Sequence, residues 1–346
     1  FQQAEMVNSK QAYSTSLRNY PARHHAAASK SKIDALDRAE TQKASAQAEE
    51  TAKKDDQAFQ LAENTKTAEA YKTYLIAFPN GRHASDAKAR IEASEKRAAL
   101  DEQVRVVLNS ISMKLMSIPG GTFLMGSDKG GADEKPAHQA TLSAFQIGET
   151  EVTQSQYQAI MGANPSFFKG MSNNPVERVT WFDAITFCNR LSEKAKLEQC
   201  YNLASGACDF SKNGFRLPTE AEWEYACRAE TGGDYYTGDG PANLGRAGWY
   251  VDISADKTHA VGQKAPNAWK LFDMHGNVWE WTNDWYQKDY YGSAPKQNPT
   301  GPASGSEKSI RGGSWVDNSG SCKASKRRSF NPRKNYSDIG FRVVRR

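Results

Sequence analysis

All eight tryptophans and all five cysteines of this 346-residue chain lie beyond residue 180, while its first hundred residues are dominated by Ala, Lys, Glu, Asp, Gln and Ser. Large rings and thiols supply most of a compact core, so a supply this uneven predicts two kinds of structure in one chain. The N-terminal part must fold on small and charged residues, which favours helices, and the aromatic part must carry the main core.

The N-terminal part repeats itself. The stretch AYSTSLRNYPARHHAAASKSKID from Ala12 matches AYKTYLIAFPNGRHASDAKARIE from Ala70 at a constant offset of 58 residues, pairing Tyr13 with Tyr71, Leu17 with Leu75, Pro21 with Pro79 and His25 with His83. Each copy places apolar residues three and four apart on one helical face, stops at a proline and resumes as an Ala-rich helix. The copies resemble half-units of tetratricopeptide-type repeats, which implies an interaction surface or a spacer. The charged run DALDRAETQKASAQAEETAKKDDQ between them is expected to be a single long helix or a coiled coil. His25 and His83 lack partners at metal-ligand spacing and are expected to cap or pack the second helix. Residues 1–110 are therefore assigned as an all-α helical hairpin and coiled-coil region that binds a protein partner.

Charge and hydropathy exclude other classes. The 45 basic and 40 acidic residues leave a net charge of +5, with the two signs interleaved, so nucleic acid is not an expected partner. The mean hydropathy of −0.75 and the lack of any run of roughly 18 to 20 apolar residues argue against a membrane span. The chain starts at Phe1 rather than Met, as a mature form does after removal of a targeting segment, although a trimmed chain would begin the same way.

Residues 111–346 have a different texture, with short β-like runs broken by Gly, Pro and Asn. MSIPGGTFLMGS reads as two strands around a Pro-Gly-Gly turn. VTWFDAITFCNRLSEKA reads as a helix with Trp181, Ile185, Cys188 and Leu191 on one face, Thr180 as N-cap and Asp183 three residues on. LPTEAEWEYACRA reads as a second helix opened by Pro218 and Thr219 with acidic groups in its first turn.

In order along the chain, IPGGTFLMGS, ETEVTQSQY, PVERVTWFDAITFCNRLS, GFRLPTEAEWEYACRA, DMHGNVWEWTNDWY, RGGSW and IGFRVV occur as they do in the formylglycine-generating-enzyme, or sulfatase-modifying factor, family. Residues 113 to 346 resemble that family; the N-terminal third lies outside it. The resemblance implies a low-regularity α+β domain related to C-type lectins, in a family where many members are not enzymes. It also implies structural calcium held by Glu151, Asp273, the carbonyls of Gly276 and Val278, and Glu280. Hard cations want six to eight oxygens, and a turn exposing carbonyls between two acids suits that need. The alternative use of Glu280 is a pair with a buried arginine inside a tryptophan core. A second family calcium site would use Asn243 and the Leu244 carbonyl, with Asp252 and Asp256 as downstream candidates.

Catalytic members bind copper(I) between two cysteines five residues apart in the loop after RGGS. Here the second position is Cys322 and the first is Asp317. Copper(I) is soft and a carboxylate is a hard ligand, so copper binding is not expected, and Cys322 is left as the residual catalytic candidate. The six histidines, at 24, 25, 83, 138, 259 and 275, form no cluster of the kind that holds non-haem iron in the related sulfoxide synthases.

Cys200 and Cys208 bracket a hairpin-like YNLASGA and are expected to form a disulfide, which favours an oxidising compartment. Cys188 and Cys227 sit where the family has disulfides, but Val343 and Arg327 replace the partners; they are read as buried thiols or as pairing with each other or with Cys322. Lys323, Lys326, Arg327, Arg328, Arg333 and Lys334 form a basic cluster, read either as one or two buried hydrogen-bonding arginines with the rest solvated or as a surface for an anionic partner. The resulting expectation is a non-catalytic, exported protein of the bacterial periplasm or cell envelope. Its role would be binding or regulation, with type VI secretion signalling as the pathway by analogy. The alternative is a copper-dependent oxidase that makes formylglycine.

Overall fold

A computed structural model describes residues 1–22 and 24–346. They divide into two compact units, Phe1–Glu102 and Gln103–Arg346. The first unit comprises α1 (Gln2–Val7), α2 (Lys10–Asn19), α3 (Ala26–Thr65), α4 (Ala68–Ala77) and the first part of α5 (Ala84–Ser110). Ser9 and Thr67, again 58 apart, are the N-caps of α2 and α4, their hydroxyls accepting from Ala12 N–H at 3.3 Å and Ala70 N–H at 3.2 Å. The repeat extends further upstream than the sequence pairs suggested. Phe1 stacks on His25 with centroids 4.9 Å apart, and Phe59 on His83 at 4.4 Å. Both histidines are thus packed rings, as expected. The charged run forms part of one continuous 40-residue helix, α3.

In the second copy, Ala62, Tyr71, Tyr74 and Ala87 form a small core. The buried Asp55 ties it to the following turn, accepting from the Tyr74 hydroxyl and from Arg82 N–H. The sequence reading placed the domain boundary at 110/111, whereas the structural division falls eight residues earlier, inside α5. Val104, Val107 and Leu108 are buried, and Gln103 Nε2 donates to the Ala195 carbonyl, so the end of α5 belongs to the second unit.

The second unit continues through β1 (Leu115–Ile118), β2 (Gly121–Met125), β3 (His138–Leu142), β4 (Phe145–Gly148), α6 (Gln154–Met161), α7 (Trp181–Lys194), α8 (Glu220–Arg228) and α9 (Pro241–Ala247). It ends with β5 (Trp279–Trp285), β6 (Lys308–Arg311), β7 (Arg328–Phe330), β8 (Ile339–Gly340) and β9 (Val344–Arg345). These strands make three short sheets, ordered β1-β4-β9, β2-β3 and β7-β6-β5-β8. The α+β, low-regularity fold is as expected. The Pro-Gly-Gly turn does not close a hairpin, however: β1 pairs with β4 and β2 with β3, so it hands the chain from one sheet to another. Thr180 caps α7 and Asp183 returns the bond to Thr180 N–H at 2.9 Å; Thr219 and Glu222 do the same for α8.

With sheets this short, buried ion pairs hold the loops. Every residue of α8 is buried, including Glu220, Glu222 and Glu224. Arg327 grips Glu220 at 2.7 and 2.8 Å, Arg216 grips Glu222 at 2.6 and 2.7 Å, and Glu224 accepts from Arg311 and Arg228. Buried pairs of this kind are tolerated only when their remaining hydrogen bonds are made. Arg327 meets this by also donating to the Asp133 carbonyl, and Arg311 donates to the Ala324 and Ser325 carbonyls while its Nε is left without a partner.

Candidate functional site

The loop that follows β6 opens with Gly312 and Gly313, both at positive φ (101° and 75°). A Cβ on Gly313 would come 2.5 Å from Cys322 Sγ, so the glycine lets the loop close over the thiol. Cys322 is fully buried and clusters with Tyr235, Leu244 and Tyr250. Burial, reinforced by the charge of Asp317, pushes its thiol well above the usual range. The thiolate is the form that ligates and attacks, and this pocket suppresses it.

Asp317 is fully engaged. Its Oδ2 accepts from Trp279 Nε1 at 2.7 Å and from the Ser314 hydroxyl, and Arg328 lies 3.5 Å from Oδ1. The two positions that would carry a copper pair therefore hold a satisfied carboxylate and a protonated, buried thiol. His275 is close by, with Nδ1 2.7 Å from the Cys322 carbonyl, while Tyr236 N–H donates to its Nε2 at 3.2 Å. This fixes a neutral ring with its proton on Nδ1. Burial lowers the His275 pKa to about 3, so it acts as a strut between two loops.

The expected calcium ligands converge only in part. The segment carrying Glu151 lies beside Asp273, since Phe272 N–H donates to the Glu149 carbonyl at 3.0 Å. Glu151 and Asp273 are completely buried, and both Glu151 oxygens and Asp273 Oδ1 have no hydrogen-bond partner. Asp273 Oδ2 accepts from Gly262 N–H at 2.7 Å. Burial first, then the neighbouring Asp273 charge, raises Glu151 well above the carboxylate range, and burial lifts Asp273 to about 6. Three orphaned carboxylate oxygens in a dry site fit a hard cation.

Glu280 takes the other role open to it. Arg342 holds it at 2.6 and 2.7 Å, and Trp223 Nε1 donates to it at 2.9 Å. Gly276, at φ 81°, could carry no Cβ, which would meet the Trp249 carbonyl at 2.1 Å. Between Gly276 and Val278, the Asn277 carbonyl accepts from Trp315 N–H at 2.9 Å. Among the described residues no group of three or more His, Cys, Asp or Glu is arranged around one metal position. At the second expected site, the Leu244 carbonyl accepts from Gly248 N–H at 2.9 Å, and Asn243 Nδ2 donates to the Asp239 carbonyl at 2.7 Å. Asp252 and Asp256 are exposed.

The cysteine pairing needs correction. Cys200 and Cys208 are free thiols, as are the other three cysteines. The register pairs Cys208 with Tyr201, and the alternation of a strand turns the adjacent Cys200 to the opposite face. Cys227 Sγ lies 3.7 Å from His275 Nε2 and donates to the Met274 carbonyl, so it pairs with neither Cys188 nor Cys322. In the basic cluster Arg327 is the buried hydrogen-bonding arginine that one of the two readings expected, held on Glu220. Lys323, Lys326 and Arg328 pair with Asp234, Glu134 and Asp317, which leaves Arg333 and Lys334 without an acidic partner among the described residues.

The arginines at the heart of the unit were missed in the sequence, although a signal for them existed. Arg216 and Arg342 each end a Gly-Phe-Arg tripeptide, and each holds a buried glutamate. The two segments pair directly, with Arg216 and Val344 exchanging N–H···O bonds of 2.9 and 2.8 Å.

Comparisons with known proteins follow the same division. A family profile described as sulfatase-modifying factor enzyme 1-like domain matches residues 108–346. The chaperone protein LppX of Paenibacillus barcinonensis is 33% identical over 270 residues, covering 68% of this chain and 90% of that protein. The formylglycine-generating enzyme of Streptomyces coelicolor is 28% identical over 298 residues, covering 66% and 87%. Among solved structures, Treponema denticola variable protein 1 superposes with a TM-score of 0.64 at 37% identity, covering 68% of this chain and 95% of that one.

Proposed function

Because the chain belongs to the sulfatase-modifying factor enzyme 1-like family and yet holds a carboxylate where a copper thiolate is needed, we propose that it is a non-catalytic binding or regulatory protein of the bacterial cell envelope. The observation that carries this reading is the state of Asp317, whose Oδ2 accepts from Trp279 and Ser314 while Arg328 balances its charge. A side chain so committed is a structural replacement for the lost cysteine. Its hard oxygens are a poor ligand for copper(I), and Cys322 alone, buried and protonated, offers no second thiolate.

The envelope placement comes from the family resemblance, since non-catalytic members occur there. The helical first unit and the face around the Cys322 loop are the surfaces offered to a protein partner. A calcium ion between Glu151 and Asp273 has a structural role in this reading, neutralising two buried carboxylates and pinning loops that the short sheets do not hold. It takes no part in any chemistry at Cys322.

The test is oxygen uptake by the full chain with a sulfatase-type cysteine peptide and copper. No uptake above the buffer rate is expected. Uptake proportional to protein, with loss of the peptide thiol, would replace this reading with the oxidase.

A further inference from the structure

β2 is an outer strand of a two-stranded sheet, and its register determines which of its backbone groups face outward. In an antiparallel pair, opposed residues alternate between those that exchange both N–H···O bonds and those that exchange none. Thr141 of β3 spends its groups on the far side: its N–H donates to the Lys296 carbonyl at 2.7 Å and its carbonyl accepts from Asn298 N–H at 2.8 Å. Its opposite number, Thr122, therefore sits in a non-exchanging pair, and the two Oγ1 atoms meet at 2.8 Å, as the closer approach in such a pair allows. Leu124, opposite Gln139, has the same parity. The N–H and C=O groups of Thr122 and Leu124 thus point away from β3, and no hydrogen bond among the described residues outside the β2–β3 ladder engages them.

Thr122 and Leu124 line a cleft of about 810 Å³ together with Tyr225, Arg228 and the loop 230–234. Tyr225 supports the strand from below, its ring 5.1 Å from that of Phe123. At the far end the row is closed, since Gly126 N–H donates to Glu224 at 2.9 Å and Arg228 donates to the Gly126 carbonyl at 3.2 Å. Exposed edges are usually blunted by charge, proline or a bulge. β2 reads Gly-Thr-Phe-Leu-Met, pairs in continuous register, and leaves Leu124 58% exposed.

We infer that β2 receives an extended peptide segment of another protein as an added strand, bonded to the backbone of Thr122 and Leu124. Recognition is by main chain, with a β-branched apolar side chain of the guest lying over Leu124. A cleft of about 810 Å³ suits an isolated extended segment better than the folded edge of a second copy.

The test uses the full chain and a capped, alternating Thr–Val heptapeptide, beside an analogue N-methylated on the residues that face β2. The expected results are protection of the Thr122 and Leu124 amides from hydrogen exchange and binding of the methylated analogue at least about tenfold weaker. Leu124→Pro removes a donor the fold does not use and should weaken binding by a similar factor. The methylated peptide leaves the protein unaltered and keeps the test valid if that variant misfolds. Equal binding of both peptides, no binding at all, or unprotected amides would overturn the inference. Protection that appears without peptide and grows with protein concentration would also overturn it, by assigning the edge to a second copy.

Discussion

At position 317 one carboxylate settles several local needs at once. It accepts from Trp279 Nε1, which lies 38 residues upstream on β5, and it balances Arg328. Asp317→Ala leaves the indole donor without its acceptor, and a buried group stranded in this way costs about 1 to 3 kcal/mol. Chemical denaturation of the variant should show a loss in that range, and an unchanged midpoint would mean that the carboxylate is incidental. The identity of residue 317 was legible from the sequence because it breaks a spacing of two cysteines. Its long-range donor was not, because Trp279 meets it only after β5 and β6 have paired. Glu280 illustrates the same limit: the sequence left it between a cation and an arginine, and the choice depends on Arg342, 62 residues away.

At the level of elements, α7 and α8 were legible almost to the residue, because their Thr caps and apolar faces are local signals. What α8 does was not legible. Its glutamates looked like dipole-compensating groups at a helix start, yet they anchor arginines from across the second unit. Burial alone would raise the Glu222 carboxyl, but the Arg216 guanidinium outweighs it and holds the carboxyl below its usual range. A depressed folded pKa gives stability that is present above the unfolded value of about 4.3 and is lost as pH falls through the folded one. Arg216→Ala leaves Glu222 buried with its main partner gone and should cost about 3 to 5 kcal/mol at pH 7. Because Glu222 is then protonated more readily, the deficit against the native chain should narrow in acid. Urea midpoints from pH 7 to pH 3 measure this, and a deficit that stays constant with pH would contradict the pairing.

For the whole molecule, the division into a repeated helical unit and a loop-rich α+β unit was visible in composition alone. The division of the two units falls within α5, where Val104, Val107 and Leu108 are buried, a change that nothing in the helix's sequence pattern marks. The second unit rests on short sheets, buried ion pairs and a site where Glu151 and Asp273 leave three oxygens unmatched. A cation there should stabilise that unit as a whole: at calcium about a hundredfold above its dissociation constant, by about 2.7 kcal/mol. The double variant Glu151→Gln, Asp273→Asn should lose this response and, without calcium, melt above the native chain, because it no longer buries two carboxyl groups whose ionisation the site opposes. Calorimetry with and without calcium checks both outcomes, and an undiminished calcium response in the variant would place the ion elsewhere. The central claim, that the loop carrying Asp317 and Cys322 has been turned from copper chemistry to structure, is tested most directly by copper(I) titration against a chromogenic chelator, comparing the native chain with Cys322→Ala. The account predicts that the two compete equally poorly. One tight equivalent held by the native chain and lost in the variant would contradict it.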